Sequence, residues 1–417
     1  MLFIYICVLF LAPQLWVESF AGLRPDLVIY PVWFLACLLS DRAKYLFHLS
    51  SPDKCFLLLI IWIVLSNYVN GGSARFPEII FNYAKWFVLF KLTAASIYDL
   101  DKLKTVTNYI VVFALVLAFE SIQHKLSIGG TGWAGQSLAW VQQSVIDSGG
   151  TGRTRWIGIF DGPGTFCVIF TIALPFLLKY FNPCYALREK ILAALLILPL
   201  IMAIYYTGSR GGFLATLAIL GIFFALKLKI SISRITLITS LLAIVFMLAP
   251  SSLTTMSDKE KSAQHRVDMW GEGVEMFQQN PVFGIGRGNF LDYTGKLLAH
   301  NSAIELMGEL GFPGIFFWAA MIYMVLKYLY KYYHQTSDIK EKVNVQAVSL
   351  SIMGYLASAM FVTLEYETQY FILGIAASLS NKLDGNTAIQ NIDKKYIVLG
   401  IIAWYLFLKV FLMFLWN

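Results

Sequence analysis

The sequence predicts an all-α, polytopic transmembrane helical protein of about 12–13 spans, and three observations predict it. Of its 417 residues, 58% are apolar and 14% are charged, against roughly 45–50% and about 25% in a soluble globular domain. The mean hydropathy is +0.66. The apolar residues gather into runs, and at about 20 residues per span a dozen runs account for roughly 240 positions. This composition excludes a soluble enzyme, a disordered scaffold and a secreted disulfide module.

The runs lie near residues 2–18, 26–40, 55–70, 78–97, 106–124, 164–181, 190–206, 212–226, 235–250, 311–331, 345–362, 366–380 and 396–416. The opening MLFIYICVLFLAP has neither a basic leading region nor a small-residue cleavage site, so it reads as a retained first span. With the N-terminus inside, eighteen of the 32 Lys and Arg fall in inside segments and eleven outside, while Lys85, Lys91 and Lys409 lie within spans. The inside loops are short and basic, as the positive-inside rule requires. The chain then divides into transmembrane helices over 1–124, an outside loop over 125–163 and helices over 164–250. A second outside loop over 251–310 and helices over 311–417 complete it. In the second loop Val267, Trp270, Val274 and Phe277 share one helical face, which predicts an interfacial helix ended by Asn280-Pro281. That loop is expected to form a cap over the bundle.

The net charge of +7 is scattered singly between apolar runs, so the balance reflects topology and not a nucleic-acid surface. The five cysteines, Cys7, Cys37, Cys55, Cys167 and Cys184, form no CxxC pair, and no HExxH or carboxylate–histidine cluster occurs. Neither a metal site nor a cofactor is expected.

Four segments carry groups suited to chemistry. Ser209-Arg210-Gly211-Gly212 joins two spans with almost no loop, placing an arginine at a membrane boundary beside glycines and the free N–H groups of a new helix. Those features favour an anion, which a guanidinium can grip with two parallel hydrogen bonds. The plain alternative is a snorkelling, topology-setting arginine. Residues 280–290, with Gly284, Gly286, Arg287 and Gly288, lack the βαβ surroundings of a dinucleotide loop. They read either as an anion cradle of backbone N–H groups around Arg287 or as an ordinary turn. His300-Asn301-Ser302, with Glu305 and Glu309 following, offers an imidazole for proton transfer or, alternatively, a hydrogen-bonded structural histidine. Arg153 and Arg155, before Asp161-Gly162-Pro163, would bind a second anionic group or sit among lipid headgroups. The Asp99/Asp101 pair lies beside Lys102 and Lys104 in a short inside loop and reads as solvated.

Taken in order, Ser209-Arg210-Gly211-Gly212, the Asn280–Phe290 stretch and His300-Asn301-Ser302…Glu305…Glu309-Leu310-Gly311 resemble the bacterial O-antigen ligase and O-antigen polymerase superfamily, best over residues 195–380. The resemblance implies a multi-pass inner-membrane glycosyltransferase working at the periplasmic face without a metal. Its donor would be a glycan on undecaprenyl diphosphate. Arg210 and Arg287, with Ser209, Gly211 and Arg155, would hold the diphosphate, and His300 would be the base on the acceptor hydroxyl. Arg153, Asp161, Asn301 and Glu305 would support them. The acceptor would be lipid A-core, another glycan repeat as in an O-antigen or exopolysaccharide polymerase, or a protein hydroxyl as in the O-oligosaccharyltransferases. The short interval from Arg287 to His300 departs from ligases that carry an insertion there. A lipid-linked glycan flippase is the alternative of another class, and it would call for charged groups at mid-membrane and related halves. A structural subunit of an export complex would leave the ordered motifs without a role. Arginines near His300 are expected to hold its pKa below the ordinary value, against Glu305 and Glu309.

Overall fold

In the computed structural model the described residues are 1–72, 74–127, 132, 153–228, 257–295, 297–383 and 388–415. Twelve of the thirteen apolar runs fall on helices; the run at 235–250 lies outside the described residues. The helices are α1 (Leu2–Leu11), α2 (Pro25–Leu38), α3 (Ala43–Phe47), α4 (Ser51–Val69), α5 (Phe76–Ser96), α6 (Leu100–Leu126), α7 (Pro163–Leu178) and α8 (Leu187–Thr207). They continue with α9 (Arg210–Lys227), α10 (Ser257–Gln279), α11 (Phe290–Thr294), α12 (Ser302–Gln335), α13 (Ile339–Ala359), α14 (Glu367–Ala377) and α15 (Asn391–Leu415). Among the described residues seven of these are long and apolar enough to cross a membrane: α4, α6, α7 with its extension to Phe181, α8, α9, α12 and α15. The chain is an all-α, multi-pass membrane protein.

The first run does not form one span. α1 ends after ten residues because Ala12 turns left-handed at φ 47° and Pro13 follows it. A ten-residue helix is about 15 Å long, half of a hydrocarbon layer of about 30 Å. α5 carries Lys85 and Lys91 into the bundle, and each meets a carboxylate, Lys85 with Glu367 at 2.5 Å and Lys91 with Asp53 at 3.0 Å. Charge inside a membrane protein persists when it is paired in this way.

α12 is the pivot of the fold. Gly311 is non-helical, at φ 65° and ψ −164°, and Pro313 follows it, so the first nine residues of α12 are set off from the rest. A proline at 313 has no N–H to return to the carbonyl of Glu309. The glycine loop supplies the missing donors: Gly286 N–H bonds to Glu309 O at 2.9 Å and Ile285 N–H to Gly308 O at 3.2 Å, while Phe312 N–H turns to Pro281 O at 2.8 Å. Trp62 Nε1 on α4 donates to Leu310 O at 2.8 Å. The backbone N–H groups of Ile285 and Gly286 therefore close a helix kink, and of the two readings of this loop, anion cradle or ordinary turn, they do not serve the first. Space enforces the docking, because a Cβ at Gly284 would run into the backbone of Glu309 and one at Gly311 into the carbonyl of Val282.

α10 ends at Gln279, as Asn280-Pro281 predicts. Its apolar face is covered by protein, where an interfacial helix would meet lipid. Met269, Val274 and Met276 are buried, Trp270 Nε1 donates to Ala299 O at 2.9 Å, and Phe277 meets Tyr405 of α15 with ring centroids 5.4 Å apart.

Candidate active site

Gly208 closes α8 with a left-handed φ of 57°, and Ser209 opens α9 by accepting the Gly212 N–H on its Oγ at 3.1 Å. The turn leaves carbonyls of the last turn of α8 without helical donors. Arg153 fills that role: its Nε donates to Thr207 O at 3.0 Å and its Nη2 to Gly208 O at 2.8 Å. The backbone beside it is tied in as well, Thr154 N–H to Tyr206 O at 3.1 Å. A Cβ on Gly208 would sit 3.2 Å from Arg153 Nε, so the arginine lies directly against the turn. Arg210, the first residue of α9, is exposed on the same turn.

A third guanidinium joins them from α10. Arg266 and Arg210 both depress the pKa of Arg153, after the larger effect of desolvation, and Arg210 likewise depresses that of Arg266. Among the described residues none of the three forms an ion pair with a carboxylate. Three like charges gathered from three segments repel one another, and a bound anion removes that cost.

His300 stands beside this cluster. Burial first, and then the charge of Arg266, hold its pKa below the ordinary value. The direction is the one expected, but the arginine responsible is Arg266. His300 is left-handed at φ 51°, a conformation a large side chain seldom adopts unless its neighbours hold it. The neighbours do so. Asn301 Oδ1 caps α12 by accepting the N–H of Ala303 at 3.1 Å and of Ile304 at 3.3 Å, and its Nδ2 donates to Met360 O at 3.2 Å. Ser302 Oγ accepts the Leu364 N–H at 2.8 Å, and Glu305 accepts from Thr363 Oγ1 at 2.5 Å.

The other expected residues are placed differently. Arg287 does not join the arginine cluster's interactions. Its Nη1 meets Glu309, its Nη2 meets Glu365 at 2.6 Å and its Nε donates to Tyr83 Oη at 3.0 Å, so every edge of the fork is occupied. Its partners are almost fully enclosed, Glu309 at 3% and Glu365 at 1% exposure. Glu365 also accepts from Tyr370 Oη at 2.8 Å. Arg155 is paired with Asp161 at 2.6 Å. Gly211, read as a point of ligand approach, is buried because Phe361 occupies the space a Cβ would need. Among the described residues no group of three or more His, Cys, Asp or Glu is arranged to hold a metal ion.

Sequence reasoning missed Arg266 and the segment 360–366. Arg266 lies on α10 one residue before the predicted apolar face and is partly buried, and a single arginine there gives no signal in the spacing. Glu365 did carry one, a carboxylate between two apolar runs. That segment binds the two halves of the region together, through Met360 to Asn301, Phe361 to Gly211, Thr363 to Glu305 and Glu365 to Arg287.

Residues 193–319 match the family model of O-antigen ligases. The matched segment contains Arg210, Arg266, Arg287 and His300, and it leaves Arg153 and Glu365 outside. The resemblance to the O-antigen ligase and polymerase superfamily holds over this part of the chain. No curated protein matches the chain. A chain of a solved peptidoglycan synthase complex is similar over 79% of this chain and 98% of that one, at 15% identity and a TM-score of 0.43. At that score the likeness carries no functional weight.

Proposed function

We propose that the protein is a membrane glycosyltransferase of the O-antigen ligase type, moving a glycan from undecaprenyl diphosphate to an acceptor hydroxyl of lipid A-core or a similar glycan. The reaction takes place at the periplasmic face of the inner membrane. The observation that carries this reading is the set of three guanidiniums, Arg153, Arg210 and Arg266, within electrostatic reach of one another and, through Arg266, of a neutral-favoured His300, none of them ion-paired to a carboxylate among the described residues.

The chemistry follows from the placement. The bond between the sugar C1 and the diphosphate oxygen breaks, and its electron pair leaves with the lipid diphosphate. Fixed arginines stabilise that growing charge without reorganising at the moment of reaction. The acceptor oxygen bonds to C1 from the opposite side, which inverts the anomeric centre, and its proton passes to a ring nitrogen of His300. A histidine held in its neutral form by burial, and then by Arg266, is ready to take that proton. Asn301, Ser302 and Glu305 act through the backbone to hold His300 in its left-handed conformation. Arg287 serves as a positioning residue, tying the glycine loop, α12 and segment 360–366 together, while Arg153, Arg210 and Arg266 take the diphosphate.

Single-turnover transfer by purified, reconstituted protein, with donor binding followed separately, tests this assignment. His300→Ala is expected to bind the lipid-linked donor and fail to transfer its glycan, and Arg266→Gln to bind it weakly. Transfer at the wild-type rate by His300→Ala would remove the base from the scheme.

A further inference from the structure

A groove lies at the other end of the bundle. α6 connects the two ends: Ser121 bonds to Thr154 at 2.7 Å, next to Arg153, while Lys102 stands 19 residues earlier, about 28 Å away along a helix. There the start of α1, the end of α2 and the start of α6 enclose a groove of about 350 Å³. Such a volume is at the lower end of ligand pockets, which run from about 300 to 1,000 Å³.

The walls of the groove are mostly apolar, with Leu2, Phe3, Trp33 and Val106 beside the hydroxyls of Ser96 and Thr105, and two cations, Arg42 and Lys102, stand among them. Both cations lie over the ring of Tyr98, Arg42 at 4.8 Å and Lys102 at 6.0 Å from its centroid. Among the described residues neither makes an ion pair with a carboxylate. Two nearby acids are otherwise engaged, as Asp99 accepts the backbone N–H of Lys102 at 2.6 Å and Asp101 pairs with Lys104 at 3.4 Å, and Asp41, next to Arg42, is exposed. An apolar slot with two unpaired cations at a membrane boundary matches one chemistry, a hydrocarbon chain joined to a negatively charged head.

We infer that this groove holds an anionic glycerophospholipid of the leaflet opposite the candidate active site, its phosphate on Arg42 and Lys102 and an acyl chain along Phe3, Trp33 and Val106. A free phosphate would use the two cations and leave the apolar slot unfilled. The inference stands apart from the transfer reaction, since it rests on other residues and is read by lipid binding alone.

Native mass spectrometry of the purified full chain with dioleoylphosphatidylglycerol or dioleoylphosphatidylcholine is the test. The anionic lipid is expected to be retained at least about tenfold better, and the double variant Arg42→Ala/Lys102→Ala to lose that preference. Both substitutions are on accessible side chains, and a phosphatidylglycerol with a photoreactive acyl chain should label α1, α2 or the first turns of α6. Equal retention of the two lipids, or a preference untouched by the double variant, overturns the inference. Displacement of the lipid by inorganic phosphate, with phosphate binding as well alone, would make the groove a simple anion site and also overturn it.

Discussion

Replacing Arg287 by Gln separates two roles for this arginine, since a residue that grips the donor and a residue that holds the fold fail differently. Arg287 is 13% exposed and lies between Glu309 at 3% and Glu365 at 1%. Removing one member of a buried ion pair costs about 3–5 kcal/mol, because the partner stays buried without compensation. Here two carboxylates lose their partner together. The variant should therefore lose thermal stability by at least that amount. Neutralising the acids should return part of it, so Arg287→Gln/Glu309→Gln/Glu365→Gln is expected to unfold at a higher temperature than Arg287→Gln alone. Thermal unfolding of the purified protein in detergent, with donor binding measured well below the transition, reads both properties. A stable Arg287→Gln that has lost donor binding would refute the positioning role and place Arg287 in the anion site.

Three further outcomes follow from the same geometry. Transfer by the wild type should persist into more acidic solution than an ordinary imidazole allows, because burial and Arg266 lower the pKa of His300; Arg266→Gln removes one of those causes, so the acid limb of the single-turnover rate should move to higher pH. Gly208→Ala places a Cβ 3.2 Å from Arg153 Nε at a left-handed position, which costs about 1–2 kcal/mol in the backbone and should weaken donor binding as well, measured by thermal unfolding and titration. Arg210→Lys should fail nearly as badly as Arg210→Ala, with a barrier raised by about 2–4 kcal/mol, since a point charge does not reproduce a two-armed grip; recovery of most of the single-turnover rate by lysine contradicts this.

The fold was legible because membrane helices announce themselves through composition and run length, and the runs coincide with helices from α1 to α15 wherever residues are described. The boundary at Ala12 was harder to see, since it depends on one left-handed residue inside an apolar run. In the site, Arg210 and His300 were readable from their settings, a charge at a span edge and an imidazole before a helix cap. The partners of Arg287 were not legible, for a physical reason. Its glycine-rich surroundings look like a ligand loop, yet Gly284 lets the chain press against the kink of α12, while Gly286 faces Asn289 and Gly288 faces Ile79. Its two carboxylate partners come from 22 and 78 residues further along the chain, a distance over which spacing carries no information. Arg266 was invisible on similar grounds, because only the packing of α10 onto α12 and α15 turns it from a surface charge into a neighbour of His300.

The central claim is that Arg153, Arg210 and Arg266 form the diphosphate site. The direct measurement is the affinity of reconstituted protein for undecaprenyl diphosphate in single Arg→Gln variants at positions 153, 210, 266 and 155. Loss of a charged hydrogen-bonding contact is worth about 1.5–3 kcal/mol, or roughly tenfold and more in affinity. The account predicts that weakening for the first three, and little change for Arg155→Gln, whose guanidinium already answers to Asp161. Affinity lost at 155 and unchanged at 153, 210 and 266 would contradict it.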